Sequence, residues 1–309
     1  MGKLIEGQWR PSGMTAESEG GRFVREETTF RDWVRRGDPD HPAEAGRYHL
    51  YVAYACPWAH RTLIYRSLLD LEDAISVSVV HPHMLEQGWR FTDDHPDHLF
   101  GLDYLHQLYT KADPTTTCRV TVPVLWDKEK RTIVNNESAE IIRMLDEEFA
   151  HDHAMDLRPE PLRDAIDEVN ARVYEDVNNG VYRAGFATTQ EAYDEAVTAL
   201  FEALDWLEAR LEGKTFLFDE RLTEADVRLF TTLLRFDPVY FVHFKCSKRR
   251  IADYPNLWAL TRRVYQMPAV KKTVSLPEIR QHYYYSHASI NPHRIVPIAP
   301  DLGLDAPLG

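Results

Sequence analysis

"YVAYACPWAHRTLIYRSLL", residues 51–69, sets a single cysteine between a strand-like run and a helix-like one. Upstream, "GRYHLYVAY" (46–54) alternates and is rich in Tyr and Val, the pattern of a half-buried strand. Downstream, Pro57 suits the first turn of a helix, and Ile64, Leu68 and Leu71 continue at helical spacing. "AISVSVV" (74–80) alternates again, so residues 47–80 read as β-α-β. A dithiol redox motif would carry its second cysteine at position 59, where this chain has Ala59. A cysteine just before a helix meets unpaired backbone N–H groups and the positive end of the macrodipole. Both lower a thiol's pKa, and the thiolate is the form that attacks other sulfurs. Arg61, one turn on, would add positive potential. The plain alternative, a buried apolar cysteine, is disfavoured by the strand–Cys56–Pro57 junction. Cys118 and Cys246 lack that context and read as structural.

Working outward, residues 81–118 hold His, Asp, Gly and Pro in loop-like clusters, with a helical patch near "LDYLHQLY". "RVTVPVLWD" (119–127) reads as a strand with a proline inside it, and "TIVNNESAEIIRMLDEEF" (132–149) as a short strand, a turn and a helix starting near Asn136. The order β-α-β, insertion, β-β-α is that of a thioredoxin-like domain. In such domains the bond before a proline like Pro123 is cis, and the exposed backbone there pairs with a peptide-like thiol. "TVPVLW" is therefore a candidate ledge beside Cys56, with an edge-strand or loop proline as the alternative. "NNES" (135–138) places Ser138 and free N–H groups at a helix start, an anion site for a carboxylate, while Glu137 can take an ammonium group. Ordinary helix capping is the competing use of those two residues.

Character changes after the polar stretch 150–161, a linker. From 162 to 275 the patterns are helical: Ala196, Leu200, Leu204, Leu207 and Leu211 share one face, and Gly213 stops that helix. Thr223 is a candidate N-cap followed by acids in the first turn. The division is thus an extension over 1–46 packed on the body, a thioredoxin-like domain over 47–149, the linker, an all-helical domain, and a proline-rich aromatic tail over 276–309 that is also packed on the body. The fold class is α/β plus all-α.

Composition excludes several functions. The 309 residues carry a net charge of −13, against phosphate-tracking nucleic-acid binding. Nine Lys against 27 Arg fits a GC-rich genome or a salt-adapted cytoplasm. No run approaches the roughly 18 apolar residues of a membrane helix. The three cysteines are scattered and do not form a secreted disulfide framework, so a reducing cytoplasm is expected. The histidine groups 81–83, 95–98 and 151–153 sit in polar loops without partners at zinc spacing, and no metal site is expected. No GxGxxG, GxxxxGK[ST] or GxSxG motif is present. Tyr174, Tyr182, Tyr193, Tyr283, Tyr284 and Tyr285 could complete a core or line an aromatic pocket whose hydroxyls bond a quinol.

The strings "ACPWAHRT", "GWRF", "RVTVPVLWD", "IVNNES", "GVYRAGFATTQEAYDEA", "LTEADVRLFTTLLRFDPVYFVHFKC" and "HYYYSHASINPHRIVP" together resemble the xi-class glutathione transferases, the glutathionyl-hydroquinone reductases. The resemblance covers about residues 47–297. The resemblance implies a thioredoxin-like domain followed by an all-helical glutathione-transferase domain. It implies Cys56 as nucleophile, and Trp89, Arg119, Val122, Glu137 and Ser138 as glutathione-binding positions. Tyr182, Tyr283 and Tyr284 would lie on the hydroquinone side. The implied partners are a small-molecule thiol and an aromatic hydroquinone adduct, in a cytoplasmic homodimer without nucleic acid or membrane. No tightly bound cofactor is expected; glutathione, or a related thiol such as γ-glutamylcysteine, acts as cosubstrate. An omega-type thioltransferase or dehydroascorbate reductase would use the same cysteine. A non-catalytic binding protein on a transferase fold would not need it.

Overall fold

The computed structural model describes residues 2–11, 18–150, 153, 155–298 and 301–308. They form two compact units, one drawn from within 1–15, 26–155 and 273–294, the other from within 16–25, 156–272 and 295–309.

The first unit is built on a four-stranded sheet in the order Ile75–Val79, Tyr48–Val52, Val124–Asp127, Thr132–Asn135. The first two strands are parallel and the other pairs antiparallel. Parallel neighbours need a crossover, and the helix Pro57–Leu68 supplies it. Tyr48–Val52 is buried along its whole length. Its one polar side chain, His49, lies between the hydroxyls of Ser76 (2.7 Å) and Ser78 (2.9 Å). Burial pushes the imidazole pKa down to about 3, so it stays neutral. The serines of "ISVSV" are thus partners for a buried histidine as well as markers of alternation.

Three stretches differ from the sequence expectation. The run 119–127 is broken: Cys118–Arg119 and Val124–Asp127 are separate strands, with a cis Val122–Pro123 bond between them. Pro123 has no N–H to give a ladder, so the strand begins just after it. The extension is partly regular. Lys3–Ile5 and Gln8–Arg10 pair as a hairpin through Glu6 and Gly7, both at positive φ (48° and 72°), and Lys3–Ile5 pairs in turn with Cys118–Arg119. Farther along, Phe30 and Asp32 follow the end of the sheet: Asn136 N donates to Phe30 O (3.1 Å) and Asp32 N to Val134 O (3.0 Å). Finally, Leu276–Ser286 of the tail is a helix, with Pro277 in its first turn, and belongs to the first unit.

The second unit is helical apart from the short pairing of Ser18–Glu19 with Arg22–Phe23. Its long helix, Gln190–Arg210, buries Ala196, Leu200, Leu204 and Leu207, and Leu211 beyond its end is buried too. Gly213 follows at φ 71°. Gly185 could not be another residue without rearrangement, because a Cβ there would stand 2.2 Å from the Phe244 ring. Among the described residues no helix is long and apolar enough to cross a membrane.

Candidate active site

Cys56 is the N-cap of the helix Pro57–Leu68, in extended backbone (φ −76°, ψ 121°). Its sulfur accepts from Ala59 N at 3.5 Å. The position where a dithiol motif carries its second cysteine therefore contributes a backbone donor instead. Across from it, the thiol donates to Val122 O at 3.5 Å, which puts the sulfur beside the backbone just before Pro123. Cys56 is partly exposed, whereas Cys118 and Cys246 are buried. Burial pushes both of those thiols up, Cys246 out of the range of ordinary titration. Sequence context and burial both set Cys56 apart from the other two thiols.

Arg61 also has a partner on another helix. Its guanidinium is buried, stands 4.5 Å over the Trp58 ring, and donates to Ser138 Oγ at 3.3 Å. It ties the helix of Cys56 to the helix Ser138–Met144. The latter starts at Glu137, whose Oε1 accepts from Ala139 N (3.0 Å), so Glu137 serves as the cap. Ser138 Oγ lies 3.5 Å from that same oxygen and Thr28 Oγ1 3.5 Å from Oε2. Glu137 stays half-buried, and capping leaves its second oxygen facing Thr28.

Arg119 sits on the strand Cys118–Arg119 and pairs with Glu26 at 2.9 Å. A ligand carboxylate reaching Arg119 must therefore displace or share it with Glu26. Trp89 is buried; its carbonyl accepts from Leu105 N (2.9 Å) and its ring stacks on His282 at 4.8 Å. His282 Nδ1–H donates to Pro82 O (2.8 Å), fixing the ring against which Trp89 rests. His282 is on the tail helix with Tyr283 and Tyr284, both buried, and burial pushes the Tyr284 hydroxyl up to about 12. Tyr182 lies in the second unit, among Phe23, Phe186, Tyr240 and Phe244, with the Arg25 guanidinium 4.9 Å over its ring.

The first unit thus brings Cys56, Val122, Ser138 and Glu137 into one connected group, and links Trp89 to the tail helix. Sequence reasoning did not single out Glu26, Thr28 or His282. Each acts through a contact across a long chain separation, for which one sequence has no local signature. Among the described residues no group of three or more His, Cys, Asp or Glu is placed to hold a metal ion. His151, in the third histidine group, lies outside the described residues. His83 is occupied otherwise, stacked on Tyr285 at 3.8 Å and bonded to Gln281.

The family models for the glutathione S-transferase N-terminal and C-terminal domains match residues 55–148 and 190–263. A glutathionyl-hydroquinone reductase of Sphingobium chlorophenolicum, PcpF, is 54% identical over 97% of this chain and 96% of its own. Among solved structures, a Xi-class transferase from Natrialba magadii superposes with a TM-score of 0.93 at 51% identity, covering 99% of this chain and 95% of that one. The glutathione-bound structure of YqjG, a transferase homologue from Escherichia coli, gives 0.90 at 50% identity, over 100% and 98%. The chain belongs to the glutathione transferase family, in its Xi class of glutathionyl-hydroquinone reductases.

Proposed function

We propose that the protein reduces glutathionyl-hydroquinones to hydroquinones at the expense of glutathione, with Cys56 as nucleophile. One observation carries this reading: Cys56 caps its helix with Ala59 N–H on the sulfur and the Val122 carbonyl opposite. That is a sulfur held ready for a thiol-bearing ligand and without a resolving cysteine at position 59.

In the first step the Cys56 thiolate attacks the glutathionyl sulfur. The aryl–sulfur bond breaks, its electron pair stays with the ring carbon, and a proton completes the hydroquinone. The protein is left as a Cys56–glutathione mixed disulfide. A second glutathione thiolate attacks the glutathionyl sulfur of that disulfide, releasing oxidised glutathione and regenerating the Cys56 thiolate. The ring carbon gains two electrons and a proton as its C–S bond becomes C–H, while the glutathionyl sulfur and the sulfur of one glutathione thiol join as a disulfide, so the cycle balances.

In this reading Glu137 and Ser138 receive the γ-glutamyl end, Val122 pairs with the cysteinyl backbone, and Trp89 and Arg119 hold the rest of the thiol. Tyr283 and Tyr284 of the tail helix form the hydroquinone side, and one of their hydroxyls delivers the proton. A hydroxyl whose pKa is raised, as at Tyr284, remains protonated across the physiological range. The omega-type thioltransferase reading is less supported, since the relative at 54% identity carries the reductase name. Free cysteines and a thiol cosubstrate favour a cytoplasmic setting, and family resemblance a homodimer, which light scattering would test.

Intact-protein mass spectrometry after incubation with a glutathionyl-hydroquinone is the decisive experiment. Addition of one glutathione to Cys56, with release of free hydroquinone, is the expected result. A protein that accepts glutathione from mixed disulfides but releases no hydroquinone would overturn the assignment. Repeating it with γ-glutamylcysteinyl adducts identifies the preferred thiol.

A further inference from the structure

We infer that the amino-terminal hairpin Lys3–Arg10 is a positioning element of the thiol site, with Trp9 as its central residue. The inference rests on the proposed thiol-binding roles of Trp89 and Arg119. These two residues lie on separate stretches, 81–91 and 113–123, neither of which belongs to the four-stranded sheet. A site that reads a small flexible peptide needs its binding groups held in fixed relation before the ligand arrives. Something must fix these two.

The hairpin grips both. On one edge, Lys3 is in register with Arg119 and Leu4 with Cys118, so the strand carrying Arg119 is a ladder partner of the hairpin. Two further bonds extend the grip: Glu6 N donates to Thr117 Oγ1 and Gly7 N to Thr116 O, each at 2.9 Å. Leu4 is completely buried. The turn is pressed so close that a Cβ on Gly7 would stand 1.8 Å from Pro114 O.

On the other strand, Trp9 Nε1–H donates to Glu86 O at 3.0 Å, three residues before Trp89. The Trp9 ring covers Gly88, where an added Cβ would meet it at 3.0 Å. It also stacks on His106 at 4.8 Å and 17°. His106 follows Leu105, whose N–H holds the Trp89 carbonyl. Trp9 therefore touches both segments that fix the Trp89 backbone, while the strand behind it fixes Arg119. A two-stranded hairpin alone is marginal in water. This one exists because it is stapled at both ends, and the same staples bind the two stretches to each other.

Coupling of this kind is reciprocal: if the hairpin orders the site, the thiol orders the hairpin. The test uses the full chain with Cys56→Ser as parent, so that glutathione binds without forming a disulfide. Calorimetric titration with glutathione is expected to give a dissociation constant about tenfold higher after Trp9→Ala, with Trp9→Phe, which keeps the stack on His106, recovering most of it. Hydrogen exchange at the Gly7 and Glu6 amides is expected to slow when glutathione binds the parent. As a control, Thr223→Ala in the second unit lowers the melting temperature and leaves the constant unchanged. Equal affinity in parent and folded Trp9→Ala, or an equal loss in the Thr223→Ala control, overturns the inference and spares the thiol site. If Trp9→Ala does not fold, Gly7→Ala is compared with the parent instead, and unchanged affinity there overturns it. A parent that binds no glutathione overturns the thiol site itself, and the hairpin's role with it.

Discussion

Two helices of this protein begin in opposite ways. Pro57–Leu68 is capped by the Cys56 sulfur, a weak acceptor at 3.5 Å, and has no acid in its first turn. Glu224–Arg235 is closed by a capping box in which Asp226 accepts from Thr223 N (2.9 Å), Thr223 Oγ1 (2.8 Å) and Leu217 N (2.8 Å). Thr223, Glu224 and Asp226 are all fully buried. One helix start is sealed and is part of the core. The other holds a sulfur loosely, and in the proposed cycle that sulfur must leave its donor to form a disulfide. Capping strength follows the job: it is greatest where nothing needs to move, and least where chemistry does.

Cys56→Ser is the sharpest way to separate the two jobs. Serine is a better N-cap than cysteine, so the helix is expected to hold, with a melting temperature equal to or above that of the parent. Turnover of a glutathionyl-hydroquinone is expected to fall at least about a thousandfold, because the alcohol cannot form the mixed disulfide. A drop in stability of the same protein would mean that the sulfur is a structural cap after all.

The reverse profile is expected at the sealed helix. Asp226→Ala leaves buried donors from Leu217 and Thr223 without an acceptor and should cost about 3 kcal/mol in urea unfolding. The thiol affinity of the folded fraction should be unchanged. Thr223→Ala is expected to cost about 1 kcal/mol, the usual worth of a cap.

A smaller effect lies in pH. Burial pushes the Asp226 carboxyl up to about 6, against an ordinary value of 3.8. Between these values the folded protein binds more of this proton than the unfolded chain does. The contribution of Asp226 to stability is therefore complete below about pH 4 and is lost as pH rises through 6. Asp226→Asn should flatten that part of the stability–pH curve; an unchanged slope from pH 4 to 7 would place the slope on other groups.

The smallest expected change is at Arg61, inside the loosely capped helix. Arg61→Lys removes the planar donor from Ser138 while keeping a charge. The KM for glutathione should rise about threefold to tenfold with little change in kcat, which corresponds to one hydrogen bond of about 1 kcal/mol. A fall in kcat with KM unchanged would instead assign Arg61 to the Cys56 sulfur, as the one-turn spacing suggested.

Local pattern carried the reading a long way where a residue's role depends on its chain neighbours. Pro57 after Cys56, the leucine face of residues 196–211 and Thr223 before its acids all correspond to helices whose hydrogen bonds lie within a few residues, and the alternation in "YHLYV" and "ISVSV" to strands long enough to show their period of two. It failed where an element depends on a distant partner. The "EG" turn between "KLI" and "QWR" is a hairpin signal, yet three-residue strands are too short to announce themselves, and they persist here by pairing with residues 118–119. The tail helix Leu276–Ser286 was hidden by its prolines and aromatics, whose helical surroundings come from His83, Trp89 and Pro82 nearly two hundred residues earlier.

What the chain dictated by itself is the β-α-β order and a cysteine at a helix start with no second cysteine at position 59. These follow from side-chain period, proline geometry and the polarity of a helix end, all of which act over a turn or two. Tertiary structure alone decided that the Val122 carbonyl stands across from the sulfur. It also decided that Arg61 serves Ser138, that Glu26 pairs with Arg119, and that Trp9 braces the loop of Trp89. Those contacts form only once the sheet and its helices bring remote backbone within 3 to 4 Å, a distance that no local propensity encodes.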